Sequence, residues 1–270
     1  MPYVIALDDG HGMETAGKRT PFIRSLGRSI KENEFNREIV RFLDIELKRC
    51  GFLTLQVAPL DRDTPLKTRT DLANQANADA YIAIHYNAFD GNFSAPTPSG
   101  IELYVHPGQK NRAAGRLAEN IAKYLRQGTP QNFRGIKEAD FHVLRETKMI
   151  AVLTENGFMD DPVEALRMID VNFQREVAVE HAKGICDYFN VRYVPATIDD
   201  DGIHQVQIGA FSKRENAETL AKRARNRGFS TFIRYSNRLY KVQIGAFTER
   251  ENAEALAKSA RAKGFEAIIV

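Results

Sequence analysis

Three short stretches carry residue types that could do chemistry together: Asp8-Asp9-Gly10-His11-Gly12, Ile82-Ala83-Ile84-His85-Tyr86-Asn87 and Leu153-Thr154-Glu155-Asn156-Gly157-Phe158. Each follows or closes a short apolar run, the pattern of a buried strand, and open α/β sheets gather their ligands beyond the carboxyl ends of such strands. Histidines and carboxylates converging on one sheet edge suit a divalent metal. A catalytic zinc centre takes three protein ligands from such groups and keeps a fourth position for water. His11 and His85 are the candidate imidazole ligands. Glu32 and Glu34 open the helix that follows the His11 loop, so either could supply the third ligand. Glu32 would equally suit the helix N-terminus, where the dipole favours a carboxylate.

Strands and helices must alternate to bring these stretches together. Residues 3–7, 52–58, 80–85 and 101–105 read as strands, with Val143-Leu144 and 150–153 as further strand candidates. Phe35, Ile39, Phe42, Leu43 and Leu47 recur at helical spacing between Lys31 and Arg49, and Gly51 stops that helix. Residues 66–77, 111–125, 162–169 and 173–189 are also helical. The order predicts an α/β fold, a mostly parallel sheet with helices on both faces, spanning residues 1–190. The polar loop 86–99 after His85 is expected to form part of the site.

Residues 191–202, with Pro195 and Asp199-Asp200-Asp201-Gly202, read as a linker. Beyond it lies a repeat. VQIGAFSKRENAETLAKRARNRGF (206–229) matches VQIGAFTERENAEALAKSARAKGF (242–265) at 18 of 24 positions. Each copy reads as strand, alanine-striped helix and strand. Two βαβ units are too few for a solenoid, so residues 203–270 are expected to close as a small α+β ferredoxin-like βαββαβ domain. Alternation puts Val206, Ile208, Val242 and Ile244 under the helices, and Gln205, Gln207, Lys241 and Gln243 on the open face.

Composition narrows the function classes. Hydrophobic content of 43% and charged content of 27% are those of a soluble globular protein, and no run of 18 apolar residues suggests a membrane span. Residues 203–270 hold 13 Lys/Arg against 6 Asp/Glu, while the rest holds 25 against 29, so a basic module follows a mildly acidic one. A basic four-stranded module could bind RNA, but such sheets stack bases on exposed aromatics, and these open-face positions are glutamine and lysine. Neither nucleic acid nor membrane is therefore an expected partner. The two cysteines, Cys50 and Cys186, read as independent buried thiols.

The whole N-terminal segment resembles the zinc-dependent N-acetylmuramoyl-L-alanine amidases of the bacterial cell wall, a group that includes phage endolysins and sporulation lytic enzymes. The three stretches above, Lys31-Glu32-Asn33-Glu34-Phe35-Asn36, and Arg69 with Ala73-Asn74 occur in the family's order and spacing. The resemblance implies one zinc ion on His11, Glu32 and His85, with Glu155 catalytic. The bond it implies joins N-acetylmuramic acid to the L-alanine of the stem peptide. Asp9 and Ile150 depart from the family's usual prolines, and Asp9 could orient His11 from behind. VQIGAF followed by a helix, twice, resembles the SPOR domain, a peptidoglycan-binding module. That implies glycan strands stripped of stem peptides on Gln205, Gln207, Lys241 and Gln243.

The chain is thus expected to be a monomeric wall-lytic enzyme, with the stem peptide in the cleft and a glycan strand on the small domain. A zinc peptidase cutting within the stem peptide, or a non-catalytic wall-binding protein, are the alternatives. Met-Pro-Tyr-Val-Ile-Ala-Leu reads as a first strand rather than a signal peptide. This implies synthesis in the cytoplasm and access to the wall through a phage holin or mother-cell lysis.

Overall fold

A computed structural model describes residues 2–93, 97–196, 204–236, 239–247 and 250–270. The chain divides into two compact units, Met1–Pro195 and Ala196–Val270. Part of the linker, including Asp199-Asp200-Asp201-Gly202, lies outside the described residues.

In the first unit, β1 (Val4–Asp8), β2 (Leu53–Gln56), β3 (Ala80–Asn87), β4 (Ile101–Val105), β5 (Phe133–Glu138) and β6 (Ile150–Phe158) form one sheet in the order β2-β1-β3-β6-β4-β5. All neighbours are parallel except β4 and β6, which run antiparallel. Leu7, Ile82, Ile84, Val152 and Leu103 alternate onto one face. There α1 (Glu32–Arg49), α3 (Ala113–Gly128) and α6 (Val171–Phe189) cover the sheet, the short α5 (Pro162–Arg167) leading from β6 toward α6. Leu117, Ile121 and Leu125 of α3 are wholly or almost wholly buried. Each such side chain contributes about 1.5–3 kcal/mol.

The opposite face is covered only in part. Ala6, Tyr81, Ala83, Leu153 and Tyr104 pack beneath Ala73 of α2 (Leu66–Gln75) and Val143 and Leu144 of α4 (His142–Arg145). Val143-Leu144, expected as a strand, is thus one turn of helix whose two apolar residues cap this patch. Strand β5 was not expected at all: Gly135 at φ +105° and a register shift break its alternation. The same alternation that buries Ala6, Ala83 and Leu153 brings Asp8, His85 and Glu155 onto this face.

In the second unit β7 (His204–Phe211), β8 (Phe232–Ser236), β9 (Leu239–Phe247) and β10 (Ile268–Ile269) form an antiparallel sheet in the order β10-β7-β9-β8. Val206, Ile208, Val242 and Ile244 pack on the alanine stripes of α7 (Arg214–Arg225) and α8 (Arg250–Ala262). Gln207 and Gln243 are cross-strand partners, but they are only 8% and 2% exposed. The open face expected to present them freely has them buried, where the β7–β9 register shifts on both sides of their pair, once by an extra residue on β9 and once by one on β7.

Candidate active site

The site grows from a loop held at both ends. Asp8 ends β1, and the chain turns back through Gly10 at φ +42°, where any Cβ would strike the His85 ring and the Ile84 carbonyl. His11 itself sits in the left-handed region at φ +59°. Such a conformation is unfavourable for a residue with a Cβ, and the surroundings impose it. From one side Asn33 of α1 donates to the carbonyls of Asp9 (2.8 Å) and Gly10 (2.9 Å), and Asn36 donates to Gly10 at 3.3 Å. From the other, buried Arg69 of α2 donates to the His11 carbonyl at 2.8 Å, to Thr64 at 2.7 Å, to Asp63 at 2.9 Å and to Asp8. Arg69 therefore shapes the His11 loop, with its donor groups all engaged.

Three expected ligands meet at the mouth of this loop. Glu32 Oε1 lies 3.0 Å from His85 Nδ1, and Glu32 Oε2 lies 3.4 Å from His11 Nε2. One ligand atom from each of His11, Glu32 and His85 falls within 4.8 Å of the others. The two imidazole rings stand almost perpendicular, 86° apart with centroids at 4.9 Å. Glu34 is turned away: its carboxylate takes two bonds from Arg28, at 2.7 and 2.9 Å, and one from the Lys31 amide at 2.8 Å. That amide contact caps α1, so the helix uses Glu34 for its own N-terminus and leaves Glu32 to the cleft.

Glu155 is the register neighbour of His85 across β3 and β6. Asn156 ties the two strand ends together by donating to the His85 carbonyl at 3.1 Å. Glu155 Oε2 and Glu32 Oε2 are both buried and without a hydrogen-bond partner. A native structure rarely leaves buried carboxylate oxygens in that condition unless something else is to fill the space. The oxygen orphaned on Glu32 is the one nearest His11, and a nitrogen–oxygen–nitrogen donor set of this size fits a zinc-type ion.

Burial and mutual charge shift the protonation of each of these groups. Burial would raise the Glu32 carboxyl, but the bond and charge of His85, with His11, hold it down at about 2. Burial depresses His11 to about 4 against the pull of Glu32, so its ring is the neutral form that a metal requires. His85 is opposed by burial yet raised by Glu32. Burial pushes Glu155 up to about 8, and a cation beside it would draw it back toward ionisation.

These groups line a cleft of about 750 Å³ together with Lys18, Asn87 and Phe141. His142 also lines it, as the remaining histidine best placed to reach it, with Nε2 3.5 Å from Thr70 Oγ1. His181 is interior, bonded to Val177 and Thr154. Asp9 does not back the His11 ring: its carboxylate faces Arg37 at 3.7 Å and Arg69 at 3.9 Å. Burial and the adjacent Asp8 raise it to about 6. Sequence reasoning also missed Glu102, buried on β4 opposite Glu155, with Arg134 and Lys137 on β5 each 2.6 Å from its carboxylate. Only recognition of β5 could have placed these groups beside the site.

Comparison with known proteins carries the reading from geometry to reaction. The pattern of the N-acetylmuramoyl-L-alanine amidase family matches residues 5–187, and that of the SPOR domain residues 200–270. A sporulation-specific N-acetylmuramoyl-L-alanine amidase of Bacillus subtilis (strain 168) is 34% identical over 231 residues, covering 85% of this chain and 83% of its own. The endolysin of Bacillus phage SPP1 is 32% identical over 205 residues, covering 71% and 68%. Among solved structures, the catalytic domain of the amidase CwlV from Bacillus (Paenibacillus) polymyxa var. colistinus aligns with a TM-score of 0.60. It is 29% identical and covers 70% of this chain and 99% of that domain. The chain belongs to the N-acetylmuramoyl-L-alanine amidase family, carries a C-terminal SPOR domain, and cuts the amide between N-acetylmuramic acid and L-alanine in peptidoglycan.

Proposed function

We propose that the cleft works as a one-zinc centre in which His11, Glu32 and His85 hold the ion and Glu155 is the general base and acid. The observation that carries this is the buried, unpartnered Glu32 Oε2 between two histidines fixed by the backbone. When bound, zinc supplies Lewis acidity, polarising the scissile carbonyl and acidifying the attacking water. Glu155 takes the proton from that water and delivers it to the leaving nitrogen. The delivery matters because an expelled amide anion would be far too basic to leave unprotonated. Asn156 and Arg69 hold the two histidine-bearing segments in place while this happens.

The domains divide as 1–190 for catalysis, 191–202 for the linker and 203–270 for glycan binding. The stem peptide lies in the cleft, and a glycan strand lies on the open face of the small sheet. Gln205 and Lys241, both half-exposed, make its outer contacts, and Gln207 and Gln243 lie beneath them. The reading is supported by the amide oxygens of Gln207 and Gln243, which are buried without partners, while Gln243 donates its NH₂ to Gln205. The protein acts as a monomer on the wall. Among the described residues no helix is long and apolar enough to cross a membrane. Relatives named as a sporulation-specific amidase and an endolysin suit an enzyme that meets the wall once the cell that made it lyses.

Metal analysis of the purified protein and of His85→Ala tests the centre: one zinc per wild-type chain and almost none in the variant is expected. Equal zinc in both would remove His85 from the ligand set. Digestion of purified sacculi should expose new L-alanine amines, whereas new amines elsewhere in the peptide would mark a peptidase. Gln205→Ala/Lys241→Ala should weaken retention on sacculi stripped of stem peptides, and unchanged retention would move the glycan site elsewhere.

A further inference from the structure

One strand beyond Glu155 the same sheet face carries a second charged group. Glu102 is Glu155's register partner on β4 and is 2% exposed. Its Oε1 accepts from Arg134 Nε and Lys137 Nζ, both at 2.6 Å, and its Oε2 accepts from the Tyr104 hydroxyl at 2.5 Å and Asn87 Nδ2 at 3.3 Å. One carboxylate thus holds two cations, leaving a surplus positive charge beside the cleft. The Glu102 side chain is 3% exposed, but those of Arg134 and Lys137 are 36% and 41% exposed, so the cationic ends remain open to a ligand. Arg134 is also fixed along its length. Its stem lies over Gly100, where an added Cβ would come within 3.2 Å of Arg134 Cγ and Cδ, and its guanidinium sits 5.2 Å from the Phe158 ring.

The substrate restricts what such a pair can meet. The carboxyl of the muramoyl group is consumed in the scissile amide, so free carboxylates belong to the peptide side. Arginine and lysine recognise carboxylates through charge-assisted hydrogen bonds. Strands are about 4.8 Å apart, so cations gathered on Glu102 lie one strand from Glu155 and two from His85, roughly 10 Å from the metal ligand. An extended peptide advances about 3.3–3.6 Å per residue, which puts that distance at its second or third residue.

We infer that Arg134 and Lys137 form a carboxylate subsite, selecting stem peptides that keep a free carboxylate on those residues over peptides in which it is amidated. This rests on the amidase reading of the cleft and names its specificity. Two substrates test it: an N-acetylmuramoyl tripeptide with free carboxylates, and the same compound with them converted to carboxamides. Wild-type enzyme should show kcat/KM about tenfold higher for the carboxylate form, chiefly through KM. Arg134→Gln and Lys137→Gln should each collapse that ratio toward one, and Arg134→Lys should restore part of it. Because the readout is a ratio within one protein, a general loss of folding or zinc does not mimic it. A wild-type ratio near one, or a ratio unchanged in both glutamine variants, would overturn the subsite. If the wild type released L-alanine amine from neither compound, the amidase reading would fall first and take the subsite with it.

Discussion

Two buried charged clusters share one sheet face, and they are built on opposite terms. Asp8, Arg69 and Tyr81 are closed on themselves. The Asp8 carboxylate takes bonds from Arg69, Tyr81 and the Gly10 amide, and every donor group of Arg69 has an acceptor. His11, Glu32, His85 and Glu155 are left open, with one carboxylate oxygen on each glutamate unmatched. The closed cluster sets the backbone that carries His11, and the open one groups donor atoms of His11, Glu32 and His85 within 4.8 Å of one another. The satisfied charges here fix a backbone, while the under-satisfied ones gather donor atoms that could hold a cation.

The largest effect should come from the open cluster. Glu155→Gln is expected to lower kcat by about 10²–10⁴-fold with zinc content unchanged. A fall of less than about tenfold in a sacculus-digestion assay would assign the proton transfer to another group. Breaking the closed cluster should act on stability instead. Arg69→Met strands Asp8 in the interior and should cost about 3–5 kcal/mol in urea unfolding. Asp8→Asn in the same chain should recover part of that loss. A full recovery of activity as well would mean that Arg69 does not position His11.

Glu180 tests whether an unmatched buried carboxylate always signals function. It is 2% exposed on α6, with Oε2 unpartnered, and burial with the neighbouring Glu176 pushes its carboxyl up to about 9. No metal-ligand cluster includes it among the described residues, so here protonation relieves the cost. The folded carboxyl keeps its proton to about pH 9, while the unfolded one releases it near 4.5. Its contribution is therefore fully present below about pH 4.5 and lost as the pH rises toward 9. Glu180→Gln should flatten that slope, stabilising the protein at pH 9 on the order of 2 kcal/mol in thermal or urea unfolding. An unchanged slope would show that Glu180 is ionised inside the fold. The smallest effect is expected at Asp9, which faces Arg37 and Arg69. Asp9→Pro and Asp9→Asn should leave zinc affinity within about threefold, whereas a loss of tenfold or more would make Asp9 the orienter of the His11 ring.

What could be read from sequence depended on how each residue's role is encoded. His11, His85 and Glu155 stand beside apolar runs, so their convergence followed from strand pattern, and motif order separated Glu32 from Glu34. The physical separation is the helix cap, where Glu34 serves the Lys31 amide and Arg28. Arg134 and Lys137 escaped because Gly135 interrupts the alternation that marks a strand. Val143-Leu144 misled because two apolar residues fit a strand or one helical turn equally well. Gln207 and Gln243 were expected on an open face, but period-two reasoning says nothing of the register shifts between β7 and β9 where both are buried.

The internal repeat has a consequence for how a polymer would be held. Gln207 and Gln243 occupy equivalent positions in the two copies and face each other across β7 and β9, so an approximate two-fold axis passes between them. A glycan strand has two distinguishable ends. At Gln207 and Gln243 a surface with that symmetry offers nearly the same contacts to a strand laid in either direction, and the equivalent pair Gln205 and Lys241 breaks it. The small domain would then fasten the enzyme to the wall with little besides the difference between Gln205 and Lys241 to set its heading along the chain.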